Sequence, residues 1–201
     1  MKKIAITGGI GSGKSVVCDI IQSKGYPVFN SDKWAKELMV SDIPLRQAIE
    51  ALLGKDAFHS PSKQPVQLNA AYIASKIFER AELKAQLEEL VHPAVRLAFE
   101  DWAKNQNTVL VFQESALILA TEHYKNFDAI VLVSCPEELR VQRVMKRDGI
   151  DRSAVIARMK SQPDFESLLH KVTHIIDNSD SLSLEDQVNA LILDLLEASD
   201  V

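Results

Sequence analysis

The sequence contains little cysteine and no long apolar segment. Its two cysteines, Cys18 and Cys135, lie far apart and belong to no C-x-x-C pair or cysteine and histidine pattern, which argues against a disulfide framework or a zinc site. We interpret both as small, buried apolar side chains. The opening residues, MKKIAITGGIGSGK, have only a short apolar run before the glycines and fit neither a signal peptide nor a membrane anchor. We therefore expect a cytoplasmic protein without a membrane partner.

Positive charge is not in excess either. The 23 lysines and arginines are outnumbered by 28 aspartates and glutamates, which leaves a formal net charge of −5. A field of this sign does not attract nucleic acid, so we expect no nucleic-acid partner, and any anion site must be built locally. The 201 residues, 46% of them hydrophobic, suffice for one substantial core. We expect a monomer or a small homo-oligomer.

Short apolar runs alternate with stretches of helical periodicity over most of the chain. Five such runs predict strands, at residues 2–7, 26–29, 108–112, 128–134 and 173–176. The third and fourth runs are each followed by helix-forming sequence. This alternation predicts an α/β fold with a doubly wound, parallel, five-stranded sheet, which binds ligands at the carboxyl ends of its strands.

The exception is a block between Ser41 and Gln106, where no convincing strand is found. Three helices are predicted there, at residues 45–54, 69–91 and 93–104. We expect His92-Pro93 to separate the last two, because proline disfavours helical geometry in the residue before it and starts a new helix well. These patterns predict a nucleotide-binding core at 1–32 and 107–201, and an α-helical substrate-binding insertion at 33–106.

A phosphate-binding loop follows the first strand. Residues 8–15, GGIGSGKS, match G-x-x-x-x-G-K-[ST] between a predicted strand and an amphipathic helix. Glycines let successive backbone N–H groups point at phosphate oxygens, and the start of the helix adds its positive end. Lys14 then reaches the β- and γ-phosphates, and the Ser15 hydroxyl binds Mg²⁺. We predict a P-loop NTPase-type fold that uses ATP and Mg²⁺, with nucleotide-binding residues Gly9, Gly11, Ser12, Gly13, Lys14, Ser15 and Val16.

The P-loop alone does not identify the reaction, because the fold serves kinases, GTPases and motors. The small chain favours a small-molecule kinase, and the N-K-x-D motif of a switch GTPase is absent from it. Asp32 follows the second predicted strand, where a carboxylate near the γ-phosphate can accept or position the proton of an attacking hydroxyl. The alternative is that Asp32 only caps a helix, since Asn30-Ser31-Asp32 suits that role.

Two arginines offer cations for the transferred phosphoryl group. Arg143 and Arg147 stand four positions apart on a predicted helix that ends in Gly149. Both therefore point the same way and could close over the triphosphate as a helical lid, within residues 138–162, with the glycine as hinge. A solvated basic face is the alternative.

Three further polar residues are candidates for ligand contacts. Arg96 has a permanent charge and a bidentate fork, which suit a phosphate of the substrate. His92, one turn earlier, is either a second phosphate ligand or a helix-end residue. Asn178 follows the last predicted strand, and it either contacts the adenine of ATP or forms a strand-end turn.

Taken in order, these motifs resemble the dephospho-CoA kinase family along nearly the whole chain. The opening IAITGGIGSGKS is similar to that family's I-G-L-T-G-G-I-G-S-G-K-S/T. Asn30-Ser31-Asp32, with Ala35-Lys36 behind it, resembles the family's D-A-D followed by A-R, and His92-Pro93 with Arg96 resembles its H-P-x-[IV]-R. Arg143 with Arg147-Asp148 resembles its R-x-x-x-R-D. Gln162 and Ile176-Asp177-Asn178 resemble its later Q and I-D-N motifs.

The resemblance implies transfer of the γ-phosphoryl group of ATP to the ribose 3′-hydroxyl of dephospho-CoA. It places Asp32 at the catalytic-base position and Lys36 where a substrate-contacting arginine is usual. The implied catalytic residues are Lys14, Asp32, Arg143 and Arg147, and the implied substrate-binding residues are Asp32, Lys36, His92 and Arg96.

The sequence also departs from the family pattern. Asn30 replaces the first aspartate of D-A-D, and Ala120 replaces the glutamate of P-L-L-F-E, for which Glu114 or Glu122 could substitute. An arginine usual in the insertion is absent near Asn69. Two rival hypotheses remain: another small-molecule P-loop kinase, of the nucleoside monophosphate or shikimate type, and a regulatory module that binds ATP without turnover. The His-Pro segment disfavours the first, and Asp32 with the lid arginines disfavours the second.

Overall fold

The computed structural model describes residues 1–59, 65–78, 80–179 and 181–197. In chain order its strands and helices are β1 (Lys2–Thr7), α1 (Lys14–Ser23), β2 (Val28–Asn30), α2 (Ser31–Ser41), α3 (Ile43–Leu53), β3 (Phe58–His59), β4 (Gln67–Leu68), α4 (Ala70–Phe78), α5 (Ala81–Lys104), β5 (Leu110–Glu114), β6 (Ala129–Ser134), α6 (Glu137–Asp148), α7 (Arg152–Lys160), β7 (His174–Asp177) and α8 (Leu184–Glu197). The chain divides into two units, one of residues 1–29 with 106–201 and one of residues 30–105.

A five-stranded parallel sheet forms the centre of the first unit. Its strand order is β2-β5-β1-β6-β7, so β1 lies in the middle, where Ile4 is paired with Phe112 of β5 and with Ala129 of β6. Both faces of β1 are buried, which explains its continuous apolar run. The prediction of a parallel α/β sheet is confirmed. Because the strands are parallel, the loops that follow β1, β6 and β7 meet at one edge.

Helices cover the sheet on both faces. Ile4 and Ile6 pack in one core with Val17 of α1 and Val188 of α8. Ala5, on the other face, packs with Leu119 and Ile130. The amphipathic patterns of α1 and α8 are therefore explained by one buried core that both helices share, and that core holds the start of α1 in place beneath the P-loop.

The helix predicted after the third predicted strand, which is β5, does not form. The segment after β5 contains two short 3₁₀ helices, at Ile118–Ala120 and Glu122–Asn126. Leu119 is fully buried there, so its packing on the sheet takes precedence over the local helical propensity. The prediction of an α-helix after this strand is wrong.

The second unit consists of helices with one small strand pair. Helix α2 packs against α3 and α5, and α4 also packs against α5. β3 and β4 pair antiparallel, with Phe58 opposite Leu68. The prediction that this block has no strand is wrong to that extent, because two-residue strands are too short to show a period of two.

Helix α5 continues through Pro93. The prediction that His92-Pro93 separates two helices is wrong, since one helix runs from Ala81 to Lys104 with the proline inside it. A proline in a helix interior costs about 3 kcal/mol, because one backbone hydrogen bond is lost. Burial outweighs that cost here: Leu87, Val91, Val95 and Phe99 form a buried stripe at four-residue spacing on both sides of the proline.

The segment predicted as a lid contains two helices. Helix α6 ends at Gly149, whose φ of 65° lies in the left-handed region, so the predicted glycine end is confirmed. Helix α7 follows, and the Asp151 carboxylate caps it by accepting a 2.8 Å hydrogen bond from the Ala154 N–H. No helix in the described part of the chain is long and apolar enough to cross a membrane.

Candidate active site

The P-loop connects β1 to α1 in a conformation that only glycine adopts easily. Gly13, the residue before α1, has a φ of 95°, and a Cβ there would collide with the side-chain amide of Asn178. The Lys14 ammonium donates to the carbonyl oxygens of Gly8 at 3.0 Å and Gly9 at 3.4 Å. The lysine therefore lies folded back over the start of its own loop.

Asn178 holds the P-loop from the end of the last strand. Its side-chain N–H donates to the Ser12 carbonyl at 2.7 Å, and its backbone N–H donates to the Ser134 carbonyl at 2.8 Å. The residue is buried. This geometry favours a positioning role, with the amide committed to the loop, and the adenine contact stays a prediction.

Arg143 and Arg147 have different surroundings, although they lie one turn apart on α6. Arg143 points toward the strand ends, with its Nη1 3.3 Å from the Asn178 carbonyl and 3.3 Å from the Cys135 sulfur. Arg147 is 61% exposed and pairs with Asp148 at 2.7 Å, and that carboxylate also accepts from Arg158 at 2.7 Å. The hydrogen bond from Arg147 is the main reason that the pKa of Asp148 is lowered. The two arginines are thus held by different partners in this conformation.

A cavity of about 300 Å³ opens beside the P-loop at the carboxyl end of β6. Gly9 and Ser12 of the loop line it together with Arg140 and Phe165, and a second cavity at the same strand end is lined by Pro136 and Asp177 among others. Two buried hydroxyls, Ser12 Oγ in this lining and Thr7 Oγ1 directly before the loop, have no hydrogen-bond partner within the described part of the chain. Unpaired buried donors beside a glycine loop fit the triphosphate of a nucleotide.

The chemistry of the site also fits Mg²⁺. Ser15 is exposed at the first turn of α1, where its hydroxyl can bind a metal. Among the residues that the structure describes, no group of three or more histidine, cysteine, aspartate or glutamate side chains could hold a metal alone. Mg²⁺ is commonly held by few protein groups together with phosphate oxygens and waters, so a serine beside a P-loop suits it.

Neither cysteine forms a disulfide and both are buried, which confirms their interpretation as small, buried side chains. Burial raises the pKa of Cys18, the Glu114 carboxylate raises it further, and the Lys14 ammonium opposes them. Glu114 is the last residue of β5 and stands opposite Ile6 in the register with β1. The other candidate for the missing family glutamate, Glu122, is 76% exposed and pairs with Lys125. Glu114 is therefore the better placed of the two.

Asp32 and Lys36 lie in the second unit, four positions apart on α2, and both are exposed. The N-cap of this helix is Asn30, whose side-chain oxygen accepts a 2.8 Å hydrogen bond from the Lys33 N–H. The alternative that Asp32 serves as the N-cap is therefore wrong. Its carboxylate stands in the first turn of the helix without that capping role, which leaves it available for chemistry.

His92 and Arg96 also lie in the second unit, one turn apart on α5. The alternative of a helix-end residue is wrong for His92, because the helix continues for twelve residues beyond it, to Lys104. The pKa of His92 is lowered, mainly because the ring is partly buried. The nearby Glu88 carboxylate opposes this effect, and the Arg96 guanidinium adds to it. His92 therefore offers a neutral ring near pH 7, and Arg96 is the permanent cation of the pair.

Two contacts near the P-loop involve residues of α6 and of the segment after α7. The Gln162 side-chain oxygen accepts a 2.7 Å hydrogen bond from the backbone N–H of Ile10. Arg140 lines the cavity beside Gly9. The family resemblance singled out Gln162 without a role, whereas no sequence argument singled out Arg140. The one sequence signal for Arg140 was its position near the start of a helix that carries several basic residues.

The pH dependence of stability provides a test of the His92 environment. In the unfolded chain the His92 ring takes up a proton near pH 6.5. In the folded protein the same ring does so only at a lower pH, because the pKa of His92 is lowered. The unfolded state thus binds more protons between these values, so this residue lowers the free energy of unfolding as the pH falls below about 6.5. In urea titrations at pH 7.5 and 5.5, His92→Gln should lose less stability on acidification than the wild type. An equal loss would contradict the assignment.

Comparisons with known proteins agree with this geometry. The family model described as dephospho-CoA kinase matches residues 2–183. A dephospho-CoA kinase of Chlorobium chlorochromatii is 34% identical over 88% of this chain and 84% of its own length. The crystal structure of a Thermus thermophilus protein aligns with a TM-score of 0.84 at 30% identity over 97% of both chains. A dephospho-CoA kinase from Campylobacter jejuni aligns with a TM-score of 0.67 at 25% identity over 98% of both chains. With a P-loop held by the last strand and a family match over most of its length, the chain belongs to the dephospho-CoA kinase family.

Proposed function

We propose that this protein transfers the γ-phosphoryl group of ATP to the ribose 3′-hydroxyl of dephospho-CoA, which yields coenzyme A and ADP. The observation that carries the proposal is the built P-loop, with Lys14 folded over Gly8 and Gly9, in a chain whose family match spans residues 2–183. The rival small-molecule kinases share the loop but not that match. A non-catalytic binding module would need neither Asp32 nor the α6 arginines.

The P-loop binds the triphosphate in this mechanism. Backbone N–H groups of the loop and of the start of α1 bind the phosphates, while the N–H groups of Ile10 and Ser12 donate to Gln162 and Gly9 and so shape the loop. The Ser12 and Thr7 hydroxyls are further donors beside the loop. Asn178 keeps the loop in shape through the Ser12 carbonyl. Bound Mg²⁺, held through the Ser15 hydroxyl, would neutralise charge on the phosphate oxygens. Preorganised donors of this kind stabilise the charge that develops as the phosphoryl group moves.

The acceptor hydroxyl is oriented by Asp32 in this mechanism. Asp32 follows β2 by two residues and has an exposed carboxylate that is not the helix cap. It accepts the hydroxyl proton as the oxygen attacks the γ-phosphorus. Lys36 on the same face of α2, and His92 with Arg96 on α5, supply groups for the anionic parts of the acceptor. We assign the role of the missing family glutamate to Glu114.

Acceptor selectivity tests this proposal directly. Purified protein with ATP and Mg²⁺ is offered dephospho-CoA, AMP and shikimate in parallel, and release of ADP is measured. Turnover is expected with dephospho-CoA, and the product should carry phosphate at the ribose 3′ position by phosphorus NMR. Preferential turnover of AMP or shikimate, or ATP binding without turnover of any acceptor, would overturn the proposal.

Alanine substitution of Arg143 and of Arg147 should affect turnover similarly and stability differently. Arg143→Ala and Arg147→Ala are each expected to lower kcat by about tenfold or more, with smaller changes in KM for dephospho-CoA, because lid cations act mainly in the transition state. Arg143→Ala should also lower the melting temperature, since it loses contacts to Cys135 and Asn178. Arg147→Ala should change the melting temperature little, because Arg147 is in an exposed ion pair and such pairs contribute about 0–1 kcal/mol to stability.

Arg152→Ala is the matched control, because Arg152 is an exposed arginine in the next helix that pairs with Glu138 at 2.8 Å. Its kcat should equal that of the wild type. Unchanged kcat in both Arg143→Ala and Arg147→Ala would return them to the interpretation as a solvated basic face.

A further inference from the structure

Arg140 packs against the first half of the P-loop from the first turn of α6. A Cβ on Gly9 would collide with the Arg140 guanidinium. A Cβ on Gly11, whose φ is 77°, would lie 2.7 Å from the Arg140 carbonyl oxygen and 2.8 Å from Val144 Cγ2. The two glycines thus allow the backbone and the side chain of Arg140 to approach the loop closely.

The guanidinium of Arg140 is incompletely satisfied. Its Nε is buried and has no hydrogen-bond partner within the described part of the chain. A guanidinium stays charged at all physiological pH values, and a buried charged donor without a partner is costly. Arg140 lines the same cavity of about 300 Å³ as Ser12, whose hydroxyl is also buried and lacks a partner among the described residues. An anionic ligand in this cavity would lie against both residues.

The position of Lys14 indicates which part of the ligand Arg140 would contact. The Lys14 ammonium donates to the carbonyl oxygens of Gly8 and Gly9, and the Arg140 guanidinium lies against Gly9. The two cations therefore both lie against Gly9. In a P-loop this lysine serves the β- and γ-phosphates, so Arg140 stands at the end of the triphosphate where transfer occurs. Gln162 fixes the neighbouring Ile10 N–H at 2.7 Å and so keeps this part of the loop in place.

We propose that Arg140 is a further catalytic residue, which donates hydrogen bonds to oxygens of the γ-phosphoryl group. The assignment rests on the proposed kinase function. In the transfer, the bond from the γ-phosphorus to the β–γ bridging oxygen breaks, and its electron pair leaves with ADP. A bond to the ribose 3′ oxygen forms, and the hydroxyl proton passes to Asp32. Arg140 forms no covalent bond, and it stabilises the charge on the moving group together with Lys14.

Nucleotide affinity tests this role without the acceptor. For Arg140→Gln, calorimetric titration should show a Kd for ATP raised about tenfold, and a Kd for ADP raised by less than about threefold, because ADP lacks the γ-phosphate. With dephospho-CoA the variant should also lose about tenfold or more in kcat, since a donor to the transferred group is removed. Arg140→Lys keeps a charge but not the planar fork, so it should fall between the wild type and the glutamine variant.

Lys146→Gln is the control, because Lys146 is an exposed cation on the same helix, and it should leave both affinities and kcat unchanged. Equal loss of ATP and ADP affinity in Arg140→Gln would place Arg140 elsewhere on the nucleotide and overturn the assignment. Unchanged affinities and kcat would also overturn it. If melting curves show that Arg140→Gln is unfolded, the ATP to ADP comparison is made with Arg140→Lys. If wild-type protein binds ATP but does not phosphorylate dephospho-CoA, the proposed function fails, while the nucleotide titrations still test Arg140.

Discussion

Replacement of Lys14 by alanine is expected to lower kcat by about 10³-fold or more, because the variant loses the cation that follows the transferred phosphoryl group. The lysine ammonium is held over Gly8 and Gly9 by their carbonyl oxygens, at 3.0 Å and 3.4 Å. Its removal leaves the backbone donors of the loop in place, so nucleotide binding should weaken less than turnover. Steady-state kinetics of ADP release and calorimetric titration with ATP measure the two effects separately.

Lys24→Ala provides the control for this variant. Lys24 follows the last turn of the same helix and pairs with Glu185 at 3.1 Å, away from the loop. Its substitution should leave kcat unchanged and cost little stability. Turnover of Lys14→Ala near the wild-type rate would be incompatible with a catalytic P-loop in this protein.

Asp32→Asn is expected to lower kcat by about 10²-fold or more, since an amide neither accepts the hydroxyl proton nor carries charge. The structure separates this effect from helix capping, because Asn30 is the N-cap of α2 and is unchanged in the variant. An acid in the first turn of an exposed helix contributes about 0.3–1 kcal/mol through the helix dipole, so melting should change only slightly. ATP affinity should also stay near its wild-type value.

Asp42→Asn is a matched control, because it makes the same chemical change at the start of the next helix. Asp42 caps α3 through a 3.0 Å hydrogen bond from the Leu45 N–H, and asparagine caps equally well. Its kcat and melting temperature should both stay unchanged. If Asp32→Asn retained kcat within a few-fold of the wild type, Asp32 would not be the catalytic base.

The parallel sheet and the P-loop were predictable because their signals are local. The continuous apolar runs of β1 and β6 follow from burial on both faces, and the glycine spacing from Gly8 to Gly13 follows from the shape of the loop itself. Each of these patterns lies within about ten residues of sequence. Local physical chemistry therefore suffices to place the nucleotide site at the carboxyl edge of the sheet.

The features that were predicted wrongly, or were not found, depend on contacts between distant parts of the chain. Pro93 lies inside a helix because the apolar stripe of α5 is buried against other helices, which a local rule for proline does not include. Asn178 donates to Ser12 across 166 positions, and Arg140 approaches Gly9 from another helix. Asn30 and Asp32 were equally good caps by composition, and only the backbone geometry distinguishes them.

The hydrogen bond from Asn178 to Ser12 also has a consequence for biosynthesis. The P-loop leaves the ribosome before the residue that fixes its shape, which lies 166 positions later in the chain. Contacts of such long separation form late and slowly in folding. A nascent chain that carries the complete glycine motif should therefore bind ATP weakly until β7 has been synthesised and has joined the edge of the sheet.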